Sequence, residues 1–550
     1  MIAVASILAG VVMLAAWTGG WQATIFGVSF TVRSVWRPLL VAVALFVAYT
    51  LRRREGIHAA EVANNLARVV AGGLLVAGVL GWTAYLSPYV GGADSYGYVS
   101  TAERLRAGTL VQHESLADAL PAESAAAATP LAYVATPHVP NATSPAYPLG
   151  LPAQMVVASA LFGPRAVFYV SIVMGLVLLA TCYGLSFRVT RDHTTSLAVA
   201  AAVALHPVVF AYAIQPMSDV PATAWYLLAG ALLMREHIAF APLAGFAGCA
   251  ALLTRPALAP GVLALALVPA LAGAHRVARA AAFFVVVAIG VAVQAWVQAH
   301  LYGSPFANGY GSTEELFSLR FLWPNLRSYG YWMVMTHGLV WLFAAAAGVY
   351  VVRDRGLSAL LVASAIAALI PYAVYRTYDH WETMRFIMPL LVMLTIVGTL
   401  ALFRIPSPFG RGIAAPWLAL GGLAFMVATW LLWLDHQQVF SLARREDRYP
   451  LAGDLIDRVT PDDAVIVASL HSGSLRYYAK RQTIDWAKIP PDHFDAAVDA
   501  LKAQGHRVYL MFDGQEEREL FEKQHGTVID REGWLPAGQR RDIRVFEAPR

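Results

Sequence analysis

Leu66-Ala-Arg-Val-Val-Ala-Gly-Gly-Leu-Leu-Val-Ala-Gly-Val-Leu-Gly-Trp-Thr-Ala-Tyr-Leu86 runs without a break into Ser87-Pro-Tyr-Val-Gly-Gly-Ala-Asp94-Ser-Tyr-Gly-Tyr-Val-Ser100. The first half is apolar for long enough to cross a hydrocarbon core of about 30 Å as a helix. The second half sets one carboxylate, Asp94, on a glycine-flanked turn with Tyr96 and Tyr98. A carboxylate at interface depth takes a proton from a hydroxyl or amine, or holds a divalent ion. The glycines let a ligand approach the backbone closely. The competing reading is structural: Asp is a favoured N-cap, here for a helix over Ser95–Leu105. Glu103, nine residues on, is read as near the same helix face as Asp94; its bland alternative is a solvated side.

The rest of the chain has the same character. It is 550 residues long and 58% hydrophobic, and only 14% of it is charged, against roughly a quarter in a soluble protein. Mean hydropathy is +0.55. These values describe a mostly helical, polytopic membrane protein. The formal charge of +5 comes largely from arginines that punctuate the apolar runs, so no nucleic-acid partner is implied. Cys182 and Cys249 both fall inside apolar runs, which argues against a disulfide framework or a cysteine metal site. Ile2–Trp17 has no basic segment before it and reads as a first anchor, not a cleaved signal. The first lysine is Lys480, so lysine chemistry is excluded from the membrane part.

About thirteen spans are expected, with boundaries good to about two to four residues. They cover 2–17, 36–51, 66–86, 165–187, 194–214, 220–236, 238–254, 257–273, 280–299, 331–352, 357–375, 385–403 and 414–434. Arginines 52–54 and 68, 188 and 191, 235, 276 and 279, 353 and 355, and 404 and 411 then fall on alternate turns, all on one side. The positive-inside rule makes that side cytoplasmic. The other side receives loops 87–164 and 300–330, the turns at Asp219 and Arg255, and the stretch Tyr375 to Arg385. Pro148 to Phe162 reads as an amphipathic or re-entrant helix in the outer interface.

Three blocks follow: two N-terminal spans over 1–65, a catalytic membrane domain over 66–435, and a soluble domain over 436–550. In the last, Ala464–Leu470 and Arg507–Phe512 read as strands, and Asp447–Val459, His493–Gln504 and Gln515–His525 as helices. That alternation describes a small extracytoplasmic α/β domain. No G-x-G-x-x-G turn is present. His471 to Tyr478 reads as a strand-to-helix turn, an anion site or, more simply, a helix cap by Ser472 or Ser474. Ala117–Ala128 is a low-complexity patch, a helix or a mobile segment.

The remaining polar groups cluster on the outer side. Asp219, two residues before Pro221, is a second acid or a helix start. Arg255 and Arg385 stand against the charge bias, and a guanidinium there matches a lipid phosphate; snorkelling is the alternative. Trp381, Glu382 and His380 surround Arg385, with no second histidine at a metal-ligand spacing. Tyr302 to Gly311, which includes Tyr310, has the aromatic and amide content that suits a carbohydrate, or else is a plain turn. His206 before Pro207 reads as a helix-kink residue. No G-x-S-x-G, H-E-x-x-H or phosphate-binding loop occurs.

In this order the motifs resemble the GT-C superfamily of integral-membrane glycosyltransferases. The resemblance is to the protein O-mannosyltransferase and aminoarabinose-transferase type. The motifs are Gly92-Ala-Asp94-Ser-Tyr96-Gly-Tyr98, the Ser144 to Gly163 segment, Tyr183-Gly-Leu-Ser-Phe-Arg188, Ser218-Asp219-Val-Pro221, Thr254-Arg255-Pro256, Tyr302-Gly-Ser-Pro305 and Trp381 to Arg385-Phe386 with Pro389. They cover about residues 66–435. The resemblance implies a GT-C-like bundle that uses a polyprenyl-phosphate sugar and inverts the anomeric carbon at the extracytoplasmic face of a cell membrane. It implies Asp94 as general base or acceptor-orienting group, Arg255 and Arg385 on the donor phosphate, and an extracytoplasmic lipid, glycan or protein acceptor. Asp219, Tyr96, Tyr98, Glu103, Tyr310, Trp381 and Glu382 are the candidate substrate contacts. Many relatives carry a paired acid in the first loop. Here Ser95 and Tyr96 follow Asp94, which favours catalysis without a divalent metal. A lipid-linked saccharide flippase or secondary transporter is the rival reading; it predicts midplane ionisable groups and inverted repeats.

Overall fold

The computed structural model describes residues 2–25, 28–32, 41, 45, 59–271, 275–311, 313–404, 414–528 and 533–549. They form two compact units. The first comprises 1–86, 169–291 and 314–441, and the second 87–168, 292–313 and 442–550.

The first unit is helical, apart from the hairpin of β1 (Trp21–Ile25) and β2 (Val28–Val32). Among the described residues, seven helices are long and apolar enough to cross a membrane. His193–Ala204 and Pro207–Ala213, bent by 63°, meet the same criterion together, as a broken span or a re-entrant pair. His206 sits at that break in an extended conformation and Pro207 opens the second half. A residue before proline is driven out of the helical region, so the bend follows from the sequence. Four more expected spans are shorter apolar helices: Ile2–Thr18, Asp219–Leu233, Phe240–Thr254 and Pro256–Leu271. The expected span 36–51 and the arginines at 52–54 and 411 lie outside the described residues, apart from 41 and 45.

Packing separates inner helices from outer ones. In its most apolar stretch Trp381–Arg404 is 72% buried, whereas Arg276–Tyr302 is 17% buried and exposes Val285, Ile289 and Trp296. The inner helices approach closely through glycine. A Cβ on Gly348 would lie 2.2 Å from the Val397 carbonyl oxygen, and one on Gly398 would lie 3.0 Å from the Ala345 nitrogen. Small residues allow such contact in hydrocarbon, where dispersion and polar contacts replace the hydrophobic drive.

The second unit holds two sheets. β3 (Gln112–His113), β4 (Tyr133–Ala135) and β5 (Ala142–Pro145) form an antiparallel trio in the order β3-β5-β4. β6 (Val465–Val467), β7 (Gln482–Ile484), β8 (Val508–Asp513), β9 (Leu535–Arg540) and β10 (Ile543–Glu547) form a sheet in the order β7-β6-β8-β10-β9. β7, β6 and β8 run parallel, and β10 pairs antiparallel to both β8 and β9.

The low-complexity patch of the first loop is ordered. It forms helices Ser115–Ala119 and Ala122–Ala128. Leu116, Ala117, Leu120, Ala127 and Ala128 share one apolar core with Val465, Ile484, Leu510 and Phe521. The polar seam matches: Arg476 reaches Glu114 at 2.6 Å and the Ala128 carbonyl at 2.7 Å, and Lys488 reaches the Thr129 carbonyl at 2.8 Å. The segment after 436 is therefore not a separate body; the first outer loop supplies part of its core. Two further expectations change. Neither Ser472 nor Ser474 caps the helix Ser474–Tyr478, whose N-cap is Gly473; Ser472 Oγ accepts from the Leu131 N–H instead. Gly150–Phe162 is a helix, but its exposed side carries Val157, Leu161 and Phe162, so it is apolar all round and not amphipathic.

Candidate functional site

Asp94 lies in the helix Gly92–Ala107, whose N-cap is Gly91. The helix begins earlier than the sequence suggests, so Asp94 is inside the first turn and is not the cap. A carboxylate there complements the positive end of the helix dipole. The helix is continuous, and nine residues at about 100° each turn Glu103 to the opposite face from Asp94. The expected Asp94–Glu103 face therefore does not form.

The Asp94 turn is held by the C-terminal segment within the same unit. The Val90 N–H donates to Tyr478 Oη at 2.8 Å. The Tyr449 ring lies against Gly91, where a Cβ would fall 1.9 Å from a ring carbon. Gly92 has φ +58°, a conformation that glycine alone adopts without strain. Tyr449 is fixed from behind. Its ring centroid is 4.8 Å from that of His471, and its hydroxyl accepts from Arg448 at 3.3 Å. His471 Nε2 and Arg448 both meet Asp513, at 3.0 and 3.2 Å. Burial opposes the Asp513 charge, but His471 and Arg448 outweigh it and hold this carboxyl below its ordinary value. Burial, followed by Glu446, pushes the Tyr449 phenol up to about 12; burial pushes Tyr478 up to about 12. Both stay protonated at neutral pH.

The tyrosines of the motif point inward. Tyr96 is buried against Tyr133, and its ring fills the space a Cβ on Gly473 would need. Burial, reinforced by Tyr133, pushes its phenol well up. Tyr98 is buried 4.9 Å from Tyr147, which meets Tyr310 edge-on at 5.6 Å. Tyr310 is the exposed end of this row. Tyr302 donates to the Pro145 carbonyl at 2.7 Å and anchors the loop that carries it.

The first unit brings the other candidates together. Asp219 opens the helix Asp219–Leu233, is 3% exposed, and forms an ion pair with Arg255. Arg255 follows the helix Phe240–Thr254 and also donates from Nε to Tyr372 Oη at 2.9 Å. Tyr372 stacks on Phe386 at 5.0 Å with 7° between planes. Arg255 and Arg385 lie 5.3 and 5.4 Å from the centroid of that same ring. Arg385 is also 5.4 Å from the Tyr212 ring, and Tyr212 Oη donates to the Glu382 carbonyl at 3.2 Å. Trp381 is buried; the Glu382 side chain is exposed 3.7 Å from His380. His380 accepts from the Glu382 N–H, a local cap.

Tyr212 and Tyr372 are site residues that the sequence reading did not single out; Phe386 entered it only as a motif position beside Arg385. The segment before Arg385 is pinned by Asn325 to the Ala373 and Tyr375 carbonyls and by Ser328 and Trp332 to Asp379. Among the described residues, no three His, Cys, Asp or Glu side chains gather as a metal-ligand group.

No protein-family model matches the chain, and no curated protein sequence does. Solved structures do. ArnT from Cupriavidus metallidurans in the apo state is similar with a TM-score of 0.54 at 13% identity, over 92% of this chain and 98% of that one. The same protein bound to undecaprenyl phosphate gives 0.54 at 12% identity, over 86% and 97%. The apo oligosaccharyltransferase of Archaeoglobus fulgidus gives 0.48 at 11% identity, over 83% and 69%. At such identities the likeness is one of fold, and the ArnT pair carries it from end to end. The described residues thus combine seven or more helices long and apolar enough to cross a membrane with a fold like that of ArnT.

Proposed function

We propose that the chain is an inverting membrane glycosyltransferase that moves a sugar from a polyprenyl-phosphate donor to an extracytoplasmic acceptor. The observation that carries this reading is the pair of guanidiniums on Phe386 in a chain with the ArnT fold. A lipid phosphate has its anionic head at the membrane surface, and two arginines held by a carboxylate and aromatic faces offer it charge and planar hydrogen-bond forks. ArnT itself has been solved with undecaprenyl phosphate bound.

In this reading Arg255 and Arg385 hold the donor phosphate, and Asp219 with Tyr372 fixes Arg255. Asp94 accepts the proton of the acceptor hydroxyl or amine as that group attacks the anomeric carbon. The new bond forms on one face while the bond to the phosphate oxygen breaks on the other. The electron pair leaves with the lipid phosphate, where the arginines stabilise it. The carboxylate aligned with the acceptor lowers the barrier by orientation as well as by proton transfer. The donor and acceptor face, and the soluble segment, are extracytoplasmic by the arginine bias.

One observation favours the flippase or transporter reading. His206 and His337 are buried within the helical unit with Nε2 atoms 2.8 Å apart. His206 lies at the 63° break, and His337 precedes Gly338, where the helix Leu322–Val351 leaves helical geometry. Ionisable groups at broken helices are a transporter feature. The deciding experiment compares membranes with and without the chain by mass spectrometry of their polyprenyl-phosphate-linked sugars. The enzyme reading expects one of these sugars to be consumed and the free lipid phosphate to accumulate. No consumption, with a solute or lipid-linked saccharide crossing sealed vesicles instead, overturns it.

A further inference from the structure

At the arginine-rich ends of the helices Val170–Thr190 and Asp219–Leu233 lies a groove of about 800 Å³. Val177, Thr181, Gly184 and Arg188 line one wall at helical spacing, and Leu228, Ala231 and Leu232 line the other. Gly184 keeps the slot open: a Cβ there would meet nothing within 4 Å. The stripe from Val177 to Arg188 rises about 16 Å along the helix, roughly half of a 30 Å core, which is the depth of one leaflet.

The rim is of another kind. Arg188, Arg191 and Arg235 face one carboxylate, Glu236, among the described lining residues. Arg188 also donates to the Met234 carbonyl at 3.0 Å, and the buried Arg279 donates to the Arg235 carbonyl at 2.7 Å. These bonds fix the turn that presents Arg235. Tyr183 and Phe187 join the rim, stacked at 6.1 Å with 5° between planes. Aromatic rings and arginines belong at headgroup depth. The order is therefore hydrocarbon, then aromatic, then cation, which is the order of a phospholipid read from tail to head.

We propose that this groove is a discrete site for an acidic glycerophospholipid of the arginine-side leaflet. The acyl chain lies along Val177–Gly184, and the phosphate lies between Arg191 and Arg235. The site serves neither the donor nor the acceptor of the proposed reaction and does not depend on that reading. Its occupant wedges the two helices at the end opposite to Asp219.

The test is native mass spectrometry of the purified full-length protein in detergent, titrated with phosphatidylglycerol or phosphatidylcholine. Wild type is expected to retain one phosphatidylglycerol with about tenfold preference. Arg191→Ala/Arg235→Ala should fall to the phosphatidylcholine level. Gly184→Leu, which fills the slot without touching the charge, should lose retention by about tenfold. Arg353→Ala removes an arginine charge outside the groove and should change nothing. Size-exclusion and melting profiles show whether each variant is folded; the two groove variants alter different features, so either one carries the test. Four results overturn the proposal: equal retention in wild type and the folded groove variants, the same loss from Arg353→Ala, release of the lipid by inorganic phosphate alone, or dimer formation through the groove in place of lipid binding.

Discussion

Asp219 and Asp94 both stand in the first turn of a helix, yet their surroundings are opposite. Asp219 is buried, and its charge is matched by Arg255, which Tyr372 also holds. Asp94 is half-buried on a glycine turn whose backbone is gripped from outside by Tyr449 and Tyr478. In the first case the carboxylate is the tool that positions something else. In the second the protein positions the carboxylate. A catalytic base needs that second arrangement, because its geometry must be set by its surroundings.

The largest effect should come from the matched pair. Asp219→Ala leaves the part-buried Arg255 without its carboxylate, a loss of up to about 3–5 kcal/mol. It should lower the melting temperature in detergent well beyond Asp94→Ala. Equal melting of the two variants would break the contrast.

Next is the gripped turn. Gly91→Ala pushes a methyl into the Tyr449 ring, an overpacking cost of about 1–3 kcal/mol. Hydrogen exchange over Tyr89–Ser95 should speed up. Adding Tyr449→Ala to Gly91→Ala should recover part of the loss, because the two side chains compete for one space; strictly additive losses would show that the ring does not hold the turn. Tyr478→Phe removes the acceptor of the Val90 N–H, worth about 1 kcal/mol. Only the amides near Val90 should then exchange faster, with the melting profile barely moved.

The smallest effect is a pH effect behind Tyr449. Asp513 is held below its ordinary carboxyl value. Such a group stabilises the fold fully above that ordinary value, about 4, and the contribution is lost as the pH falls through the depressed one. Acid unfolding followed by tryptophan fluorescence should be shallower in Asp513→Asn. Superimposable profiles would remove the His471–Asp513–Arg448 support from the account.

The same contrast explains what the sequence makes legible. Long apolar runs declare themselves by composition, so apolar helices are located from sequence even where, as at Asp219–Leu233, they are shorter than the expected span. Gln515–His525 and the strands β6 and β8 were equally readable from local pattern. β9 was not, since Leu-Pro-Ala-Gly-Gln-Arg at an edge carries no strand pattern. The burial of Ala117–Ala128 against the C-terminal sheet was hidden because alanine-rich sequence says nothing of its distant partner.

The sites divide likewise. Asp219, Arg255 and Arg385 stood out as charges in an apolar chain. Tyr212 and Tyr372 did not, because an aromatic residue in a membrane helix is unremarkable until the fold sets it beside a guanidinium. Asp94 and Glu103 were misjoined by spacing: nine residues is two and a half helical turns, which separates faces.

The central claim is that the Asp94 carboxylate takes the acceptor proton. Its most direct measurement is the rate at which purified Asp94→Asn protein transfers sugar from the polyprenyl-phosphate-linked fraction of membranes, beside wild type and Arg385→Ala. The account predicts a fall of about 10²- to 10⁴-fold for Asp94→Asn in a protein that still folds. Wild-type transfer by a folded Asp94→Asn protein would contradict it.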